Sequence, residues 1–121
     1  MREANVTTDA SRGTAWFGPP RHEIPAIDEA ALVAARQADL LLTAAGDLGF
    51  SRWEAYLTPL PDRFRDGDIR DIRSAAMRAR AAYGPKDSLR DALPAALTEP
   101  FLDAVDRLLK AIARYELRGD T

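Results

Sequence analysis

Residues 26–46, AIDEAALVAARQADLLLTAAG, decide the fold. Ile27, Ala31, Ala34, Ala38, Leu41 and Ala45 recur at steps of three and four, which places them on one stripe of an α-helix. Val33, Leu40 and Leu42 flank the stripe, and Glu29, Arg36 and Thr43 mark the opposite side. A helix apolar over most of its circumference belongs between neighbours, not at an edge. Asp28 is the expected N-cap, and Gly46 is expected just past the end.

The rest of the chain supplies those neighbours. Ser51-Arg52-Trp53-Glu54 has the form of a capping box, in which hydroxyl and carboxylate would satisfy two orphan amides at the start of a short helix. That helix carries Phe50, Trp53 and Leu57 on one side, so Trp53 is expected in the core. Thr58-Pro59-Leu60-Pro61 is expected to end it in a turn. Ile69, Ile72, Ala76, Ala79 and Tyr83 form a second clean stripe, capped by Asp68 and stopped by Gly84-Pro85. Asp87 and Ser88 cap one or two turns that Pro94 cuts short. The last helix is expected from about Thr98, with Glu99 and Pro100 in its first turn and Phe101, Val105, Leu108, Ile112 and Tyr115 facing inward. Asp103 with Arg107, and Asp106 with Lys110, have the spacing of intrahelical ion pairs. No alternating strand pattern and no internal repeat interrupts this series. The expected fold is all-α: a small bundle of three main helices plus two short ones over residues 26–121, preceded by an extended arm over residues 1–25.

Composition agrees with helices and limits the core. The chain has 121 residues, enough for one domain. Hydrophobic residues make up 46%, but 23 of them are Ala, and Leu, Ile, Val and Phe together occupy only 26 positions. Alanine has the best helix propensity and lets helix axes approach closely, so a thin, tightly stacked interior is expected. Lys86 and Lys110 are the only lysines among 17 basic residues, an Arg bias of the kind that GC-rich coding produces.

Several chemistries lack their residues. There is no Cys, which removes disulfides, thiolate catalysis and thiolate metal sites. A net charge of −2 supplies no field favouring nucleic acid or an anionic membrane. The N-terminal residues contain no apolar run of signal-peptide length and no stretch reaches 18 apolar residues, so a cytoplasmic protein without membrane contact is expected. His22 is the single histidine and lies in the Pro-rich arm, where a surface turn residue is expected instead of a general base. The six Glu include no paired Glu-x-x-His element of a dimetal bundle.

One stretch tempts a functional reading: Asp62–Arg73, DRFRDGDIRDIR. As a calcium loop counted from Asp62, it has Phe64 at position 3 and Arg73 where the bidentate Glu belongs, so calcium binding is not expected. As a basic recognition helix, its Arg63, Arg65, Arg70, Arg73, Arg78 and Arg80 are offset by four Asp and spread around the wheel. An ordinary solvated helix start is the expectation.

No catalytic, cofactor-binding or metal-binding residue is therefore nominated. The expected function is a non-catalytic accessory or regulatory module that binds another protein or a second copy of itself. Its expected contact residues are Trp16 and Phe17 of the arm with Arg70, Arg73 and Arg80. Two alternatives stand beside it. One is a nucleic-acid-binding regulator using the helices of residues 51–83 as a variant helix-turn-helix, despite a connection longer than the usual turn. The other is a helical bundle holding a small apolar ligand in a cavity lined by Leu41, Met77 and Val105.

Overall fold

The computed structural model of the protein describes residues 18–85 and 87–119, and every regular element among them is helical. A 3-10 turn, Arg21–Glu23, leads into α1, Pro25–Asp47. There follow α2, Ser51–Leu57, α3, Leu60–Asp66, and α4, Ile69–Ala81; a single turn, α5, Leu89–Ala92, precedes α6, Ala95–Gly119. The three main helices are those expected. The third short one, α3, is not.

α1 opens on Pro25 at its first position, with Ile24 as N-cap. Proline there has no amide to cap and a φ already suited to a helix, so Asp28 is not the N-cap. Asp28 instead accepts a hydrogen bond from Arg21 Nε at 2.7 Å, and Arg21 Nη1 donates to the Gly67 carbonyl at 3.0 Å. One guanidinium thereby ties the entry of α1 to the corner between α3 and α4. At the far end the helix runs through Asp47, and the chain reverses at Gly49, whose φ of 75° only glycine adopts freely.

That reversal also displaces the expected capping box. The Ser51 amide turns back to the Gly49 carbonyl at 3.0 Å, which puts Ser51 inside the first turn of α2 and leaves Phe50 as N-cap. The capping boxes lie elsewhere. At α4, the Asp71 amide donates to Asp68 Oδ1 at 2.9 Å while the Asp68 amide donates to Asp71 Oδ2 at 3.3 Å. At α5, the Ser88 amide donates to Asp91 Oδ2 at 3.2 Å.

Two expectations about proline are corrected, the first because of what a helix start lacks and the second because the helix begins earlier than expected. The amides of a first helical turn have no intrahelical acceptor, so proline forfeits nothing there. Pro59 and Pro61 consequently start α3, which buries Leu60, Pro61 and Phe64, where a turn was expected. At α6 the Leu97 and Thr98 amides both donate to the Pro94 carbonyl, at 2.9 and 3.0 Å, so this helix begins at Ala95 and Pro100 lies within it. The residue left without a donor from Pro100 is Ala96, which is exposed and open to water.

The core forms where α1 packs against α6, α3 and α2, and where α4 packs against α6 and α3. Ile27, Ala31, Ala34, Ala38, Leu41 and Ala45, the stripe read from the sequence, are fully buried. Phe64 and Phe101 are the largest fully buried side chains among the described residues and meet edge to face, with centroids 6.4 Å apart.

Candidate functional site

The expected contact residues fare differently. Trp16 and Phe17 lie outside the described residues. Arg70, Arg73 and Arg80 are all exposed on α4, but two of them are engaged by α6: Arg73 Nη1 donates to Glu116 Oε2 at 2.6 Å, and Arg80 Nη1 stands 3.6 Å from Asp106 Oδ1. Asp106 thus faces Arg80 in place of its expected partner Lys110. Asp103 and Arg107 do pair, at 3.1 Å. Arg70 joins Arg73, Ser74 and Met77 around a shallow surface cavity of about 300 Å³.

Arg78 is spent on packing. Its guanidinium lies 4.0 Å above the Tyr56 ring, Tyr56 OH donates to the Arg78 carbonyl at 2.6 Å, and Arg78 Nη2 donates to the Tyr56 carbonyl at 3.3 Å. Arg65 bridges Asp39 and Asp62, and those two carboxylates hold its pKa above the ordinary arginine value. The arginines that suggested a recognition helix mostly fasten helices to one another.

The interior cavity expected between Leu41, Met77 and Val105 is not formed. Leu41 and Val105 are fully buried, whereas Met77 is 57% exposed. Met77 follows Ala76 on the wheel of α4, and one helical step of about 100° carries it off the inner stripe. Trp53 is also shifted from its expected place: it is only partly buried, at the margin of the core, and meets Tyr56 edge-on at 5.5 Å.

No group of three or more His, Asp or Glu that could hold a metal occurs among the described residues. The stretch 62–73 forms the α3–α4 corner, and its glycine answers a close approach. A Cβ on Gly67 would lie 2.6 Å from both the Arg63 carbonyl oxygen and Asp71 Cβ. His22 is exposed in the 3-10 turn, beside Glu23.

Where α5 meets α6, Arg90 Nε and Nη2 donate to Glu99 at 2.8 and 3.1 Å, which holds the Glu99 carboxyl below its ordinary pKa. Tyr83 donates its hydroxyl to the Thr98 carbonyl, and burial together with the Glu99 charge raises its pKa. A phenol kept neutral against a buried backbone acceptor is a structural latch.

Two further open surfaces occur among the described residues. The first is a cleft of about 430 Å³ with Phe50, Arg52 and Trp53 on one wall and Asp87, Ser88 and Asp91 on the other. The second is the outward face of α1. Leu32 and Val33 are about one-third exposed and Leu40 about half; Leu48 and Phe50, in the connection after the helix, are exposed as well. Beside it, Ala26, Glu29, Ala30 and Val33 of α1 with Ala104 and Arg107 of α6 edge a groove of about 210 Å³.

No family model, curated protein or solved structure matches the chain. No helix among the described residues is long and apolar enough to cross a membrane.

The face of α1 was not singled out from the sequence, although a signal for it exists. Ala26, Val33 and Leu40 recur every seven residues, as do Glu29, Arg36 and Thr43. Two parallel seven-residue series, one apolar and one polar, are what a second contact stripe on a helix would show.

Proposed function

We propose that the protein is a non-catalytic accessory or regulatory module that acts by binding another protein, with the outward face of α1 and the neighbouring Phe50 as its main contact. The observation that carries this reading is the exposure of Leu32, Val33 and Leu40 together on the outward face of α1. Single exposed hydrophobics need no explanation, but a run of them marks an interaction surface. Burying a fully exposed side chain of this size is worth roughly 1.5–3 kcal/mol, and a third to a half of that remains to be gained at each of these positions.

Trp16 and Phe17 belong to the same proposal as apolar contacts contributed from the arm. Arg70, with the engaged Arg73 and Arg80, is a second, polar contact region on α4. A cytoplasmic setting completes the proposal.

Cross-linking the full chain in its own host tests it. Wild type is expected to give a discrete adduct of higher mass. A Val33→Asp, Leu40→Asp variant should lose that adduct while keeping its helical circular dichroism. An adduct unchanged by the two substitutions, or only uncross-linked wild type, would overturn the reading.

A further inference from the structure

We propose that the outward face of α1 pairs with the same face of a second copy of this chain, antiparallel, about a twofold axis passing between Leu32 and Val33. The pairing rests on the reading of α1 as a contact surface and supplies its occupant.

The argument starts from two charges. Glu29 and Arg36 are exposed, and neither makes an ion pair or hydrogen bond with any described residue. They lie seven residues apart, two helical turns, so they share one line along the outer face about 10.5 Å from each other. Leu32 and Val33 lie on either side of that line.

A twofold axis between residues 32 and 33 makes this arrangement self-complementary. Glu29 of each copy then opposes Arg36 of the other, giving two ion pairs of opposite sign at the two ends of a central apolar cluster. That cluster is Leu32 and Val33 from both copies. Continuing outward in the same register, Leu40 comes over the exposed Pro25 and Ala26, so a large side chain meets small ones. Parallel pairing would place Glu29 against Glu29 and Arg36 against Arg36. The charges thus choose the antiparallel form, and a closed twofold interface follows from using one patch twice.

The helix itself points the same way. It is apolar on more of its circumference than α2, α3 and α6 cover, and a second copy supplies the missing neighbour. One helix face is small beside the roughly 800 Å² per partner of a standard interface, so a weak, concentration-dependent dimer is expected.

Sedimentation velocity of the full chain, from about 1 to 500 μM, reads this directly. Wild type is expected to shift from monomer to dimer across that range. Glu29→Arg alone sets Arg against Arg, and Arg36→Glu alone sets Glu against Glu; each should weaken the dimer at least about tenfold. Mixing the two variants restores both ion pairs, so the mixture should dimerise with a Kd within about threefold of wild type. Both variants should melt with wild type, since neither side chain has a partner among the described residues.

A wild type that stays monomeric to the highest concentration overturns the self-pairing and leaves the contact surface itself to the cross-linking experiment. So does a dimer indifferent to both reversals, or a mixture that fails to recover. Loss of the cross-linked adduct only in the Val33→Asp, Leu40→Asp variant, with wild type monomeric in isolation, would assign the face to a different protein.

Discussion

The outer faces of α1 and α4 pose the same problem to water and solve it differently. On α4 the outward side chains are mainly arginines, with Ser74 and Met77 between them, and several of the arginines are answered within the chain: Arg73 by Glu116, Arg80 by Asp106, Arg78 by the Tyr56 ring and carbonyl. On α1 the outward side chains include Leu32, Val33 and Leu40, with Glu29 and Arg36 beside them, and no described residue answers these charges. The face that looked functional in the sequence is occupied in holding the bundle together. The face that looked structural is the one left open.

Adjacent residues on α1 give the sharpest way to break this comparison. Leu41 is fully buried and Leu40 is 52% exposed. Truncating Leu41 to Ala removes core contacts and leaves a cavity in an interior that alanines already make thin, at a cost of about 2–5 kcal/mol. The same truncation at Leu40 should stay within about 0.5 kcal/mol in the monomer. Urea unfolding at a concentration where the protein is monomeric measures both. Equal losses at the two positions would mean that Leu40 is packed and that the outer face is not free.

A smaller effect is expected at the α3–α4 corner, on the opposite side of the comparison. Gly67→Ala sets a methyl group 2.6 Å from a carbonyl oxygen and from Asp71 Cβ, so the capping box of α4 must shift to admit it. Overpacking of this kind costs about 1–3 kcal/mol, and amide exchange in the first turn of α4 should quicken with it. Unchanged exchange at Asp71 and Ile72 would show that the corner is looser than its geometry.

Much of this architecture was legible in the sequence, and the physical reasons separate what was from what was not. The inner stripes of α1, α4 and α6 follow from a spacing of three and four, because burial selects apolar residues on one side of a helix and periodicity records that selection. Asp68 was legible as a cap because its side chain acts locally. Proline was misread at Pro59, Pro61 and Pro100. The same residue opens or breaks a helix according to its distance from the first turn, and that distance is set by packing further along the chain. Ser51 was misread because the Gly49 reversal, three-dimensional and tight, moved the helix start by one residue. The α1 surface was hidden by a subtler ambiguity: apolar residues around most of a helix predict neighbours, and the sequence does not say whether these come from the same chain.

Ion pairs between α4 and α6 set the next level of effect. Arg73→Ala removes a contact to Glu116 between side chains that are 53% and 39% exposed. Exposed pairs are worth about 0–1 kcal/mol, so the loss should sit near the low end and shrink further in high salt. A loss above about 2 kcal/mol would mean that Arg73 organises the interface between α4 and α6 instead of decorating it.

The smallest effect separates the two faces by titration. Glu99 has its pKa lowered first by hydrogen bonding to Arg90, and a lowered folded-state pKa stabilises the fold wherever the unfolded carboxyl is already ionised. That contribution is complete above the ordinary value of 4.5 and disappears as pH falls through the depressed folded value. Glu99→Gln should therefore melt slightly below wild type at pH 7, and the two melting curves should converge as the pH is taken below 4.5. At a concentration where the protein is monomeric, the Leu40→Ala variant removes no titrating group, so its difference from wild type should stay flat over the same range. A Leu40 difference that tracked pH in the monomer would show that the apolar face of α1 is coupled to a titrating group of the same chain, and the reading of that face as unengaged would fail.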